Sequence, residues 1–481
     1  MNFKEKKVAL WRLFLLSASA GAVDMGYAVE GAYVVPLMVA SGLSLTLSTV
    51  LISLSPIMGM LFQGFIGTIS DKCNCSWGRR RPFIVLFSLT AVLGFGAAPY
   101  CFYFHNLGLH YLVIIGVVVC VFLSDFSIGA LLLPTRAYLL DVVPVSQSKT
   151  GNFIFSVAIG AGAASGYGLG AVDWSNIPSL GLNANVVNQT KIVYGITTVT
   201  LFIAMLCTIA SVKEQNPSLL TSQEKQINAE TDTLLVSTIG ETSFPTSSGN
   251  LCKTLTESTI GILKFAYYMS YNMWFLWLMS ALAMAADFAF TFSFSTFVGL
   301  AVYEGDSSSP EGSESYDLYT KGVRMGSLGL AIATVCCSVM SLILDYITRW
   351  IRLKTVLLIT IAAFVCALGL LTYCRELYQV YILAAMYGPF FATVTSVPYA
   401  LIPMYEKSGT LFRKEWTNRP PMVEGVAVAT LNTAIFAGQI IASLVIGPVV
   451  DAVGDVNYFM IIPCFFAALS FLVTLPVKSE S

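Results

Sequence analysis

The residues of this chain best suited to chemistry are charged side chains inside otherwise apolar stretches. Asp125 lies about halfway along one such stretch. A carboxylate at the centre of a bilayer costs roughly 2.5–3.5 kcal/mol on insertion scales, so it needs a partner, a water-filled cavity or a proton. Reversible protonation of a buried carboxyl group is the chemistry of a proton carrier. Asp125 is therefore predicted to be a proton-coupling residue.

Arg136 follows Asp125 eleven residues later. At ~100° per residue the two side chains share one helix face, about 16 Å apart along the axis. That face would carry an acid near the membrane centre and a fixed cation that can bind a polar solute. Two plainer explanations stay open: Arg136 is an ordinary positive residue at a membrane boundary, or Asp125 is a helix–helix hydrogen-bonding group.

The first apolar stretch contains two further acids, Asp24 and Glu30. Six residues apart on a helix, they point about 120° away from each other. We therefore do not expect both to face one narrow site. Glu30 is predicted to bind solute and Asp24 to bond a neighbouring helix, with plain packing as the alternative for each.

Several other polar side chains in apolar stretches are predicted to bind solute. Polar groups on membrane helices tend to face the protein interior. The candidates are Tyr27, Tyr138, Asn432, Gln439 and Arg324. For Arg324, a cation that extends to the membrane interface is the alternative.

The composition of the chain limits its class. Of its 481 residues, 56% are hydrophobic and only 11% are charged, against about 25% charged residues in soluble domains. Most of the surface must face lipid, and no basic patch suits nucleic acid. Neither a cluster with metal-ligand spacing nor a catalytic set of residues is found in the sequence, so we expect no cofactor, no metal and no enzyme activity.

Apolar stretches of about 20 residues predict an all-α membrane protein of twelve transmembrane helices. The longest polar interval follows the sixth stretch. We therefore expect a six-helix half at 1–212, a cytoplasmic linker at 213–268 and a second six-helix half at 269–481. This is the organisation of a secondary transporter.

The positions of the basic residues predict the orientation of the chain. Lys and Arg favour cytoplasmic segments. With both termini cytoplasmic, 22 of the 26 lysines and arginines lie on cytoplasmic segments or helix ends. The four exceptions are Lys191, Lys321, Arg324 and Arg375. The Asn188-Gln189-Thr190 sequon then falls outside, where Asn188 can accept a glycan.

A short basic loop at 67–82 joins the second and third stretches. It begins Gly-x-x-x-Asp-Lys and ends Gly-Arg-Arg-Arg. Asp71, Arg79, Arg80 and Arg81 are predicted to form a gating loop that clamps neighbouring cytoplasmic helix ends. The alternative is a topology signal with no gating role.

Motifs along nearly the whole chain resemble the animal relatives of the plant sucrose/proton symporters, the solute carrier 45 type of major facilitator transporter. The resemblance is carried by the segments 26–36, 70–82, 134–141, 319–327 and 431–448. It implies a major facilitator fold that moves a neutral sugar, sucrose or a hexose, together with a proton. Asp125 and Arg136 fall where these symporters have their proton-coupling acid and an essential arginine.

One departure from the family pattern concerns the seventh stretch. Relatives usually carry an acid just before a Phe-Met-Gly or Trp-Met-Gly run, and Thr296 stands in its place here. Asp287 lies nine residues earlier, which is too far to substitute simply. The departure bears on the cargo and on the coupling stoichiometry.

The resemblance leads to a prediction of proton-coupled sugar symport in the plasma membrane or an endolysosomal membrane. The expected partners are a small sugar, a proton and the lipid bilayer, and a monomer suffices. Two alternatives stay open: transport of another small organic solute, and a non-transporting membrane sensor or scaffold.

Overall fold

The computed structural model describes residues 7–73, 75, 77–144, 147–174, 186–213, 269–306, 309, 313–407 and 423–477. The predicted linker lies outside the described residues apart from Lys213. The described part is built from α-helices, with a short 3-10 segment at Ala98–Leu107 and a π-helical turn at Val298–Val302.

The helices, in chain order, are α1 (Leu10–Ala40), α2 (Leu45–Ile52), α3 (Leu54–Lys72), α4 (Arg81–Ala97), α5 (His110–Val142), α6 (Ser148–Ala171), α7 (Val186–Ser211), α8 (Tyr271–Phe297), α9 (Glu314–Ile347), α10 (Leu353–Leu371), α11 (Leu377–Ala384), α12 (Tyr387–Lys407), α13 (Val423–Val453) and α14 (Tyr458–Thr474).

Most of these helices are long enough to cross a bilayer. The 31 residues of α1 rise about 46 Å, more than the ~30 Å hydrocarbon core. Within the described residues, 10 helices have the length and hydropathy of a membrane span, and shorter apolar helices occur at Thr46–Phe62 and Tyr458–Thr474. A helix satisfies its own backbone polar groups, which is why such apolar segments are helical in lipid.

Buried apolar side chains form two clusters. One runs from Leu13 to Ala204 and is built from the helices before the predicted linker. The other runs from Met269 to Val477 and also takes in Ala28 and Tyr167. The packing of each cluster is therefore mostly local to one part of the chain.

Glycines allow the close helix contacts that position the polar residues. A Cβ on Gly166 of α6 would lie 2.6 Å from the backbone oxygen of Met25 on α1. A Cβ on Gly438 of α13 would lie 2.7 Å from the backbone oxygen of Ala281 on α8. Small residues at such crossings let helix backbones approach closely in lipid. These crossings hold α1 and α8, which carry three of the cavity-lining acids discussed below.

Candidate functional site

A cavity of about 570 Å³ lies between the two buried clusters. That volume falls within the range of small-molecule pockets, about 300–1,000 Å³. Its lining comes from α1, α2, α5, α6, α8, α9, α12 and α13. In the described part of the chain, the charged side chains that line it are Asp24, Glu30, Asp125, Arg136 and Asp287.

Asp125 and Arg136 both line the cavity from α5, so the face that their spacing predicts is the face turned inward. Asp125 is 6% exposed. The side chains of Ser55 and Gln439 lie within hydrogen-bonding reach of its carboxyl group. Gln439 lines the cavity as well. Within the described residues no lysine or arginine forms an ion pair with Asp125, so its charge is balanced by hydrogen bonds or by a proton.

The guanidinium of Arg136 lies between two aromatic rings. Its central carbon is 5.6 Å from the ring centroid of Phe155 on α6. It is 5.4 Å from the ring centroid of Tyr399 on α12. Such contacts stabilise a desolvated cation by about 2 kcal/mol or more. Arg136 thereby connects helices that belong to different buried clusters.

Asn432 contacts the cavity-lining residue Tyr399. The Tyr399 hydroxyl donates a hydrogen bond to the Asn432 side-chain oxygen. Tyr399 lines the cavity, whereas Asn432 is not part of the lining. Asn432 therefore lies one contact behind the cavity wall, and its predicted role in solute binding stays a prediction.

Glu30, Tyr27 and Asp24 line the cavity together from α1. Glu30 accepts a hydrogen bond of 2.7 Å from the Ser124 hydroxyl of α5. The expectation that Asp24 and Glu30 do not face one site is wrong, because the cavity is broad and is bordered by helices on several sides. Side chains about 120° apart on α1 can then both reach it.

Asp287 of α8 is a cavity residue to which the sequence pattern assigned no role. It is 5% exposed and lines the cavity. The Tyr387 hydroxyl donates a 2.6 Å hydrogen bond to its Oδ1 atom. Thr296, at the position of the family acid, instead hydrogen-bonds with the Tyr319 side chain. An acid in the middle of an apolar stretch was the available signal for Asp287.

Tyr138 lies away from the cavity lining, which corrects its predicted role. It is fully buried and its hydroxyl donates to the backbone oxygen of Val212, just after α7. Arg81 donates to the same oxygen at 2.5 Å and to the Tyr138 hydroxyl at 3.3 Å. The hydrogen bonds of the Tyr138 hydroxyl thus connect α4, α5 and the end of α7.

Two arginines of the basic loop form ion pairs with Asp141 of α5; a gating role for the loop stays a prediction. Arg79 lies 2.7 Å from one carboxylate oxygen of Asp141, and Arg80 lies 3.0 Å from the other. Arg80 also donates to the Ser70 hydroxyl of α3 at 2.9 Å. The side chain of Asp71 is not among those described. Within the described part, Asp141 is therefore the acid that the loop contacts.

Arg324 does not line the cavity either. Its guanidinium forms an ion pair with Asp173, just after α6. The pair joins α9 to the end of α6, and this contact accounts for a basic residue at that end of α9. Asn188 lies in the first turn of α7, where its side-chain oxygen accepts a hydrogen bond of 3.2 Å from Lys191. Its glycosylation stays a prediction.

Comparison with curated proteins finds relatives along most of the chain. A membrane-associated transporter protein of Homo sapiens is 27% identical, with 95% of this chain and 93% of that protein covered. Proton-associated sugar transporter A of Homo sapiens is 24% identical, with 94% and 83% covered. Solute carrier family 45 member 3 of Mus musculus is 25% identical, with 83% and 71% covered. No family model matches the chain.

Solved structures show the same fold. A D-xylose-proton symporter superposes with a TM-score of 0.64 at 12% identity, with 98% of this chain and 99% of that chain covered. A nucleoside transporter superposes with a TM-score of 0.63 at 11% identity, with 98% and 100% covered. The homologues and structural neighbours are transporters and not enzymes. The chain is thus a multi-pass membrane protein with the fold of the major facilitator transporters, and its homologues are members of solute carrier family 45.

Proposed function

We propose that the protein is a secondary active transporter that carries a neutral sugar, sucrose or a hexose, together with a proton by alternating access. The observation that carries the proposal is the shared face of α5, where Asp125 and Arg136 line one buried cavity. The printed names of the relatives support a sugar as cargo, and a D-xylose-proton symporter shares the fold.

The proposed architecture is twelve transmembrane helices in two six-helix halves. Support comes from the 10 long apolar helices and the two shorter ones at Thr46–Phe62 and Tyr458–Thr474. The two buried clusters support halves at 1–212 and 269–481 around the linker at 213–268. Both termini are then cytoplasmic, in the plasma membrane or an endolysosomal membrane.

In this proposal Asp125 carries the proton. No lysine or arginine within the described residues forms an ion pair with it, and protonation would neutralise its charge inside the membrane. Ser55 of α3 and Gln439 of α13 hydrogen-bond its carboxyl group. Because α3 and α13 belong to different halves, protonation of Asp125 changes a contact that spans both halves.

Arg136 provides the second contact between halves. Its contact with the Tyr399 ring lies toward the end of α5 that is cytoplasmic in the proposed orientation. The ion pairs of Arg79 and Arg80 with Asp141 hold the helix ends on that side. Arg324 and Asp173 join α9 to α6 on the opposite side. Opening to either side requires the contacts on that side to separate, as rocking of two halves does in alternating access.

Uptake of radiolabelled sucrose and glucose tests the proposal, in transporter-deficient yeast at about pH 5 and about pH 7.5, a range that brackets titration of a buried carboxyl group. We expect faster uptake at the lower pH, collapse by a protonophore, and no gradient dependence in Asp125→Asn. Sugar uptake that ignores the gradient and is unchanged in Asp125→Asn would contradict the proposal.

A second candidate is transport of another small organic solute. The lining acids Asp24, Glu30, Asp125 and Asp287 outnumber the lining guanidinium of Arg136 in the described part. That imbalance suits a solute with a positive charge as well as a proton. A thermal-shift screen with sugars and organic ammonium compounds separates the two candidates. A non-transporting sensor is the third possibility, and it predicts no flux of any of these solutes.

A further inference from the structure

One face of α8 presents several groups to the cavity. Ser280, Met284, Asp287 and Thr291 line it at spacings of four, three and four residues. Residues spaced in this way lie on one side of a helix. Ser280 and Asp287 are two turns apart, about 10.5 Å along the axis. We call these four residues the α8 face.

Asp287 is held in place but retains capacity to accept hydrogen bonds. Tyr387 donates to Oδ1, whereas an ionised carboxylate has about four acceptor positions. Within the described residues no lysine or arginine forms an ion pair with Asp287. A ligand that donates hydroxyl hydrogens can therefore bind the remaining lone pairs.

Ser280 is an independent sign of a ligand at the α8 face. Ser280 is only 5% exposed and lines the cavity. Its Oγ atom has no hydrogen-bond partner within the described structure. An unpaired buried hydroxyl costs about 1–3 kcal/mol, and a solute hydroxyl in the cavity would remove that cost.

Two aromatic rings adjoin the α8 face. Phe288 and Phe292 are one turn apart on α8, with ring centroids 5.8 Å apart and planes tilted by 33°. Both line the cavity. Apolar and aromatic walls with a few placed polar groups are typical of small-molecule sites. The C–H faces of a sugar ring can pack on such rings while its hydroxyls bind the polar groups.

The titratable groups around Asp287 come from four other helices. Asp24 of α1 lies close enough for the two carboxyl charges to interact. Tyr167 of α6 and Cys337 of α9 also interact electrostatically with Asp287, and Tyr387 of α12 is its hydrogen-bond donor. A solute hydroxyl between Asp24 and Asp287 would donate to one or both and reduce their repulsion.

We propose that the α8 face is the hydroxyl-binding face for a neutral polyol, with Asp287 as the acceptor and Ser280 as its second anchor. Asp287 is assigned to solute binding because its hydrogen-bond donor, Tyr387, comes from its own half. Proton transfer stays with Asp125, whose hydrogen-bond partners come from both halves. The inference rests on the proposed function, since it deepens the substrate site of the same transporter. It also gives Asp24 a role, because a polyol between Asp24 and Asp287 connects α1 of one half to α8 of the other.

The test is solute binding to the purified full-length protein in lipid nanodiscs, with sucrose, glucose and choline as probes. The concentration dependence of the rise in melting temperature gives an apparent Kd. We expect Asp287→Asn to raise Kd by about ten- to a hundredfold, as for a lost hydrogen bond to a charged group. We expect Ser280→Ala to raise it by about two- to tenfold.

Matched controls separate a binding effect from a folding effect. Ser88 is another buried serine without a hydrogen-bond partner among the described residues, and it does not line the cavity. Ser88→Ala should leave Kd unchanged. If Asp287→Asn does not fold, Asp287→Glu and Ser280→Ala still test whether the α8 face binds the solute. Asp287→Glu keeps the charge, and Ser280→Ala removes only a hydroxyl that has no hydrogen-bond partner within the described structure.

The outcomes divide as follows. If the wild-type protein binds sugar and Kd is unchanged in both Asp287→Asn and Ser280→Ala, this inference is overturned and the proposed function stands. Choline-induced stabilisation with no response to either sugar, or no response to any of the three, overturns the proposed function and this inference together. Weaker sugar binding in both variants, with Ser88→Ala unchanged, supports it.

Discussion

The cavity faces of α5 and α8 carry similar acids in different surroundings. On α5, Asp125 shares its face with Arg136, whose guanidinium stacks on rings from two other helices. On α8, Asp287 shares its face with hydroxyls and adjoins two phenylalanine rings, and its fixed partner is the Tyr387 hydroxyl. The same residue type thus suits two tasks. The α5 face can couple a charge to movement between halves, and the α8 face can recognise a solute.

Substitution of Arg136 should have the largest effect on the α5 side of this comparison. Arg136→Ala removes both aromatic contacts, and we expect initial transport rates to fall about 100-fold or more, as for loss of two desolvated cation–π contacts. Arg136→Lys should restore little, because an ammonium lacks the planar stacking surface of a guanidinium. Zero-trans and exchange fluxes in proteoliposomes measure this. Full activity of Arg136→Lys would show that charge alone is needed.

Tyr387→Phe should have the next largest effect, on the α8 side. It leaves the ring stacked on Phe391 and removes the 2.6 Å bond to Asp287. We expect KM for sugar to rise about tenfold, as for a lost charge-assisted hydrogen bond. The dependence on the proton gradient should be retained. If this variant lost its gradient dependence as Asp125→Asn is expected to, the proposed division between the two faces would be contradicted.

Asp141→Asn tests a region outside both faces. It removes the carboxylate that Arg79 and Arg80 share. Because both ion pairs are partly exposed, we expect a loss of only about 0.5–2 kcal/mol in stability, measured as a lower melting temperature. Apparent sugar affinity in the protein that remains folded should change less than about threefold, since Asp141 does not line the cavity. A large change in KM would extend the functional site to the basic loop.

Tyr399→Phe should have the smallest effect. The ring that stacks on Arg136 is kept, and the hydrogen bond to Asn432 is lost. A lost neutral hydrogen bond of about 0.5–1.5 kcal/mol corresponds to a two- to tenfold change in transport rate. Tyr399→Leu is the paired variant that removes the ring. Equal defects in the two variants would assign the role of Tyr399 to its hydroxyl and not to its ring.

The sequence predicted those features that depend on a single helix. Span length, composition and the shared face of Asp125 and Arg136 follow from helical geometry and hydropathy. Contacts between helices were the features it did not predict. The pairing of Arg324 with Asp173, the bond from Tyr138 to Val212 and the approach of Tyr387 to Asp287 join residues far apart in the chain. These partners depend on how the helices pack.

The breadth of the cavity explains why Asp24 and Glu30 both line it. The angular argument that separated Asp24 from Glu30 assumed a narrow site, whereas the cavity extends along α1. The family pattern directed attention to Thr296, and the buried acid of α8 lies more than two turns earlier, at Asp287. Asp24 and Asp287 each lie in mid-helix, in an apolar stretch. An ionisable residue there is a functional candidate because burying its charge in the membrane is energetically costly.

The most direct test of this account is proton movement counted per sugar in proteoliposomes that contain a trapped pH-sensitive dye. Wild-type protein should move protons with sugar. Asp125→Asn should exchange sugar without moving protons, and Asp287→Asn should move the wild-type number of protons per sugar, although only at higher sugar concentration. Proton movement in Asp125→Asn, or sugar transport without protons in Asp287→Asn, would contradict the assignment of coupling to α5 and recognition to α8.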